Sequence, residues 1–143
     1  MKVTVRPAIP SDAPLLAEIE SESFRQPHWQ AEHFMRYDCT VAEVEGQLVG
    51  FLVSRQVYGG SAGAGDPERE ILNVAVAPRF RRVGVATALL NHELAKRGSH
   101  FLEVRVSNVA AQTLYRKLGF VELGVRHNYY DNPSESAIVM TMK

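Results

Sequence analysis

The stretch Glu70-Ile71-Leu72-Asn73-Val74-Ala75-Val76-Ala77-Pro78-Arg79-Phe80-Arg81-Arg82-Val83-Gly84-Val85-Ala86 decides how the chain is read. From Glu70 to Ala77 it is almost continuously apolar, which predicts a central strand buried on both faces. Pro78 ends that strand, since proline has no N–H to offer a ladder. From Val83 to Arg97 the period lengthens. Ala86, Leu89, Leu90 and Leu94 fall on one helical face, and Gly98 follows its end. Phe101 to Val106 is a second strand. Strand, crossover helix and strand make a β-α-β unit, so the two strands are expected to be parallel.

Working outward, Val3 and Val5 alternate with Lys2, Thr4 and Arg6 as a short strand. Ser11-Asp12 offers an N-cap, with Pro14 in the first turn of a helix whose face carries Leu15, Leu16, Ile19 and the more distant Phe24. Trp29 to Tyr37 predicts a shorter helix with Phe34 and Tyr37 on its apolar side. From Cys39 the period is two: Val41 and Val44, a hairpin turn at Glu45-Gly46-Gln47, and a return strand from Leu48 to Val57. The glycine-rich stretch Tyr58 to Pro67 lacks the Gly-Lys-Ser/Thr ending of a phosphate loop and reads as a surface loop. Asn108 to Leu118 is a helix closed by Gly119. Phe120 to Arg126 and Ala137 to Met142 form a final antiparallel pair. The expected fold is α/β, more narrowly an α+β mixed sheet ordered β-α-α-β-β-β-α-β-α-β-β, with one central parallel pair. It would fill a single domain, 1–143.

Composition narrows the function. Apolar residues make up 45% and charged residues 22%, the balance of a soluble globular protein. The formal net charge is zero, which argues against broad nucleic-acid binding. Thr113 to Leu118 has the look of a recognition helix, but a strand precedes it where a helix-turn-helix needs another helix. No run approaches the roughly 20 apolar residues of a membrane-spanning helix. The N-terminus lacks the apolar core of a secretion signal. Cys39 is the only cysteine, so no internal disulfide forms and a reducing, cytoplasmic setting is expected. The five histidines show no metal-ligand spacing, and no metal is expected.

Arg81-Arg82-Val83-Gly84-Val85-Ala86, between strand and helix, has the makings of an anion site. The first N–H groups of a helix lack intrahelical partners, and the helix dipole favours negative charge there. Gly84 permits close approach to the backbone. An ordinary loop with solvated arginines fits this turn, taken alone, equally well.

The companion segments add more. Asn73-Val74-Ala75-Val76 before the turn resembles the GNAT superfamily of N-acetyltransferases. So do Leu102-Glu103-Val104-Arg105-Val106-Ser107-Asn108, Ala110-Ala111, Leu114-Tyr115 and Leu118-Gly119-Phe120 after it. The likeness covers essentially the whole chain and is most specific from Ile71 to Phe120. With Arg126-His127-Asn128-Tyr129-Tyr130, it is most similar to the RimI-type branch, the ribosomal-protein alanine N-acetyltransferases. The resemblance implies acetyl-CoA as co-substrate, with Val74, Ala75 and Val76 lining its pantetheine arm. Arg81, Arg82, Val83, Gly84, Val85, Ala86 and Thr87 would wrap the pyrophosphate, and Asn108 would bond the pantetheine. Glu103 matches the general base, and Tyr115 the general acid beside the sulfur. Arg126, Tyr129 and Tyr130 would meet the first residues of a peptide acceptor. The long loop 59–67 and the partial match over Phe24 to Trp29 depart from the pattern, which leaves the acceptor open.

These residue types suit the chemistry. Amide formation from a thioester needs a neutral amine and a protonated leaving thiol. An α-amine is about 10–15% neutral at pH 7, a lysine only about 0.04%, so an N-terminal acceptor needs only a modest base. Glu103 supplies a carboxylate, and Tyr115 a phenol that stays protonated. Each has a plain structural alternative: a strand glutamate paired with an arginine such as Arg105, and a core aromatic. Two other functions remain open, acetylation of a lysine or small-molecule amine, and a non-catalytic acyl-CoA-binding module.

Overall fold

The computed structural model describes residues 2–24, 29–57, 67–130 and 135–142. Most of the glycine-rich stretch, and Arg25 to His28 in the departing segment, lie outside the described residues. The chain divides into two compact units, Met1–Arg55 with Leu72–Lys96, and Gln56–Ile71 with Arg97–Lys143.

The first unit carries β1 (Val3–Pro7), α1 (Ala13–Ser23), α2 (Ala31–Phe34), β2 (Asp38–Val44), β3 (Gln47–Val57), the latter half of β4 (Glu68–Val76) and α3 (Val85–Leu94). Its strands run in the order β1-β2-β3-β4. β1 and β2 are antiparallel, with Val5 opposite Ala42. β2 turns into β3 through Glu45 and Gly46, both at positive φ, as the hairpin signal predicts. Leu16, Ile19, Phe34, Val41, Phe51, Val53 and Ala75 form its core. The Phe34 and Phe51 rings meet edge to face at 5.0 Å.

Several local expectations are corrected. Leu16 and Ile19 are buried, but Leu15 is 49% exposed and Phe24 lies beyond the end of α1 at the surface. Their spacing carries them off the core stripe. The helix expected from Trp29 to Tyr37 shrinks to the single turn α2, with Phe34 buried and Tyr37 exposed. Asp12 precedes α1 without capping it. Its carboxylate instead accepts the Ile9 N–H at 2.8 Å and pairs with Arg6 at 2.8 Å, the cause of its depressed pKa. β4 is less sealed than its composition suggests, since Leu72, Asn73 and Val74 are half-buried.

The seat of α3 depends on a residue whose role the sequence pattern hid. Gly50 on β3 faces the helix, and a Cβ there would stand 3.0 Å from the Ala75 carbonyl and 3.1 Å from Val85 Cγ1. Its lack of a side chain lets Val85, Leu89 and Leu90 bury completely or nearly so. On the same helix, buried Glu93 accepts a 2.7 Å hydrogen bond from Ser54 and pairs with Lys96 at 3.1 Å.

The second unit holds the first half of β4, β5 (Ser99–Arg105), α4 (Val109–Lys117), β6 (Val121–Tyr130) and β7 (Glu135–Met142). β4 and β5 are parallel, Glu70 opposite Phe101 and Ile71 opposite Leu102, as the β-α-β reading requires. β6 and β7 form the expected antiparallel pair, and β7 lies between β5 and β6. Element order therefore matches expectation throughout, with shifted boundaries. No helix among the described residues is long and apolar enough to cross a membrane.

Gly50→Val forces three added carbons against Ala75, Val85 and Leu89. Overpacking of this kind costs about 1–3 kcal/mol, so a thermal melt should show a midpoint lowered by several degrees. An unchanged midpoint contradicts close seating of α3.

Candidate active site

The first unit contains the proposed anion turn. β4 delivers Ala75 and Val76, buried, and Val74, half-buried. Pro78 to Phe80 makes one 3-10 turn, which puts the exposed Arg79, Arg81 and Arg82 around the start of α3. Arg81 Nε donates to the Val76 carbonyl at 3.3 Å, tying this arginine to the strand end. Arg82 has φ 64° and Gly84 φ 88°. Left-handed backbone is cheap for glycine and disfavoured for arginine, and such positions cluster at binding sites.

α3 begins immediately after Gly84, with no side chain capping it. Its first helical bond runs from the Ala88 N–H to the Gly84 carbonyl at 3.0 Å. The N–H groups of Val85, Ala86 and Thr87 therefore have no intrahelical acceptor. A Cβ on Gly84 would meet nothing within 4 Å, so glycine serves here for its φ and leaves the backbone open to a ligand. Uncapped donors, the positive helix end and flanking arginines suit a pyrophosphate.

Nearby, Glu20 is buried and accepts the Trp29 N–H at 3.0 Å and Asn73 Nδ2 at 2.5 Å. It ties α1 to β4 and to the chain entering α2. Sequence reasoning missed it, because nothing in the helical pattern marks a buried glutamate beside Ile19.

The second unit contains the proposed acid–base residues. Glu103 stands on β5 with its side chain 13% exposed, and its Oε1 accepts from Arg126 at 2.6 Å. Its Oε2 is buried and has no hydrogen-bond partner among the described residues. The partner is thus Arg126 rather than Arg105, the pairing offered as the plain alternative. Arg105 instead bonds Glu135 at 3.1 Å. Local sequence separation favours the nearer arginine, but strand pairing brings up the farther one.

Arg126, Tyr129 and Tyr130 all lie on β6. The Arg126 guanidinium sits 4.2 Å over the Tyr129 ring, and Arg105 sits 4.2 Å over Tyr130. The two tyrosine rings meet edge to face at 5.0 Å. Burial, then the charge of Glu103, pushes the Tyr130 phenol up to about 12; Tyr129 is raised by burial, by the charge of Glu103 and by hydrogen bonding with that carboxylate. Arg126 is held above its usual range by its bond to Glu103. Glu135 completes the set by accepting the Ser107 N–H at 2.7 Å, a role that carried no sequence signal.

Asn108 caps α4, its Oδ1 accepting the Ala111 N–H at 3.2 Å. This gives the residue a structural duty beside the pantetheine contact expected of it. Gln112 is buried and donates to the Arg105 and Val106 carbonyls at 3.1 and 2.9 Å, fixing the strand-to-helix corner. Tyr115 packs on Phe120, ring centroids 5.7 Å apart, and burial pushes its phenol up to about 12. Cys39, half-buried on β2, has its thiol pushed up to about 12 by burial, which does not suit a nucleophile. Among the described residues no group of three or more His, Cys, Asp or Glu is placed to hold a metal ion.

The structure therefore gathers Val74 to Val76 with Arg81 to Thr87 in the first unit. It gathers Glu103, Arg126, Tyr129 and Tyr130 in the second, which also carries Asn108 and Tyr115.

Residues 9–120 match the model of the acetyltransferase (GNAT) family. An N-alpha-acetyltransferase of Sulfurisphaera tokodaii is 37% identical over 121 residues, 76% of this chain and 72% of that protein. The ribosomal protein bS18-alanine N-acetyltransferase of Escherichia coli K12 is 37% identical over 120 residues, 79% of this chain and 74% of its own. Among solved structures, the Escherichia coli ribosomal-protein-S18-alanine N-acetyltransferase superposes with a TM-score of 0.82 at 31% identity, covering 99% of this chain and 93% of that one. Ard1 of Thermoplasma volcanium gives 0.86 at 32%, covering 99% and 97%. A match over residues 9–120, with relatives this similar, places the protein in the acetyltransferase (GNAT) family as an N-acetyltransferase.

Proposed function

We propose that the chain, acting as one domain in the cytoplasm, transfers acetyl from acetyl-CoA to the α-amine of a protein or peptide N-terminus. The observation that carries this reading is the Glu103 carboxylate, whose Oε2 is buried, next to a tyrosine pair, with no hydrogen-bond partner among the described residues. Such an oxygen has spare acceptor capacity for an amine N–H, directly or through water. The names of the Sulfurisphaera and Escherichia coli relatives support an α-amine. The latter further suggests the N-terminal alanine of a ribosomal protein.

Acetyl-CoA supplies an electrophilic thioester carbonyl and a thiol leaving group. Val85, Ala86 and Thr87 would give backbone N–H groups to its pyrophosphate, with Arg81, Arg82 and Val83 completing the turn. Val74 to Val76 and Asn108 would hold the pantetheine. As the N–C bond forms and the C–S bond breaks, the amine proton passes toward Glu103 and on to solvent, while the departing thiolate accepts a hydrogen bond from Tyr115 and takes its proton from solvent. A phenol near 12 holds its proton more tightly than a thiol near about 8.5. Tyr115 therefore acts as the acid by donating a hydrogen bond that strengthens as negative charge develops on sulfur. Arg126, Tyr129 and Tyr130 would face the acceptor's first residues.

An Ala-initiated peptide should release CoA with the enzyme, and an α-blocked peptide with internal lysines or a polyamine should not. Release with the lysine peptide alone overturns the α-amine assignment. Tyr115→Phe should lower kcat ten-fold or more while acetyl-CoA still binds. Because the phenol stays protonated up to about pH 12, the loss should be the same from pH 6 to 9; a loss confined to high pH removes Tyr115 as donor. Gly84→Asn keeps a residue that tolerates left-handed backbone but adds a side chain over the turn. Calorimetric affinity for acetyl-CoA should fall by ten-fold or more, and unchanged affinity contradicts the pyrophosphate turn.

A further inference from the structure

Glu103 raises a physical difficulty that the proposed function leaves unsolved. A buried carboxylate beside an arriving amine stabilises the ammonium form, because an opposite charge within about 4–6 Å favours ionisation by 1–3 pK units. An ammonium has no lone pair and cannot attack the thioester. A lone glutamate would therefore bind the acceptor well in its unreactive state.

The structure gives Glu103 a counter-charge. Arg126 reaches across from β6 to Oε1 at 2.6 Å, while Oε2 stays buried with no hydrogen-bond partner among the described residues. The guanidinium also lies 4.2 Å over the Tyr129 ring. Arg105, the next arginine along β5, is engaged by Glu135 and Tyr130. The division of labour is thus fixed atom by atom: one oxygen of Glu103 is neutralised and the other is left to accept.

We infer that Arg126 is a positioning and charge-compensating residue, which keeps the bound acceptor amine neutral by cancelling the charge of Glu103 while leaving Oε2 free. This rests on the reading of Glu103 as the group that meets the amine. The groups bearing on the pair are Tyr129 and Tyr130 from β6 and Glu70 from β4, which acts electrostatically on both Arg126 and Tyr129.

The sign follows. Without Arg126 the bound amine's pKa rises, its neutral fraction at pH 7 falls, and the acid limb of the kcat profile moves to higher pH. KM for the peptide should hold or fall, since the ammonium form binds the bare carboxylate better.

The test is steady-state kinetics from pH 6 to 9.5 on the full chain, with Arg126→Gln, Arg126→Lys, Glu103→Gln and the Arg126→Gln/Glu103→Gln double variant. Arg126→Gln should lose ten-fold or more in kcat at pH 7, with the acid limb raised by about one unit or more and no rise in peptide KM. Arg126→Lys should restore most of the loss. The double variant should show no such shift, because the charge being compensated is gone. A pH-independent loss, a lysine variant no better than glutamine, or a rise in kcat on removing Arg126 overturns the inference. Wild-type kinetics in Glu103→Gln would instead overturn the reading of Glu103 on which it rests.

Discussion

Helix α3 starts behind a left-handed glycine with no side chain to cap it, and much of the first unit is arranged so that this can happen. β4 must end at Val76, the chain must reverse through Arg82 and Gly84 at positive φ, and the helix must lie close on β3. The last condition is met at Gly50, where even one added carbon would crowd Ala75 and Val85. Close seating buries Val85, Leu89 and Leu90, and that burial holds the helix end in place. Three backbone donors and the positive end of the helix then converge with no side chain competing for them. The anion site proposed here would be made of backbone, so its specificity would come from where the helix starts.

The second unit uses side-chain charge instead. Two arginine–carboxylate pairs, Arg126 with Glu103 and Arg105 with Glu135, each lay a guanidinium on one ring of the Tyr129–Tyr130 pair. Exposed ion pairs contribute little to stability on their own. Here their consequence is positional, because rings and charges restrain one another and, among the described residues, leave Glu103 Oε2 buried without a hydrogen-bond partner. Insertion of β7 between β5 and β6 brings Glu135 to the strand corner where Ser107 and Arg105 need an acceptor.

Much of this was legible in the sequence, and the exceptions have physical causes. Periodicity reports which residues share a face, so it found every element in order and the buried Leu16, Leu89 and Leu90. It overreached at Leu15, Phe24 and Tyr37, where apolar residues lie off the stripe and remain at the surface. Composition marked β4 as sealed, yet Leu72 to Val74 are half-buried. The turn at Arg81 to Ala86 was readable because helix-start chemistry is local. The partner of Glu103 was not. Arg105 is two residues away and Arg126 twenty-three, and only the strand order decides between them. Glu20 and Gly50 were hidden for the same reason, since each answers to a residue distant in the chain.

Acetyl transfer to an N-terminal amine is tested most directly on one peptide that offers both choices, an unblocked alanine at its start and a lysine within. The purified chain, acetyl-CoA and this peptide are incubated, and tandem mass spectrometry locates the added acetyl. The account predicts that it lies on the α-amine, with the lysine unmodified while free α-amine remains. Acetyl found first on the lysine, or none transferred although acetyl-CoA binds, would contradict it.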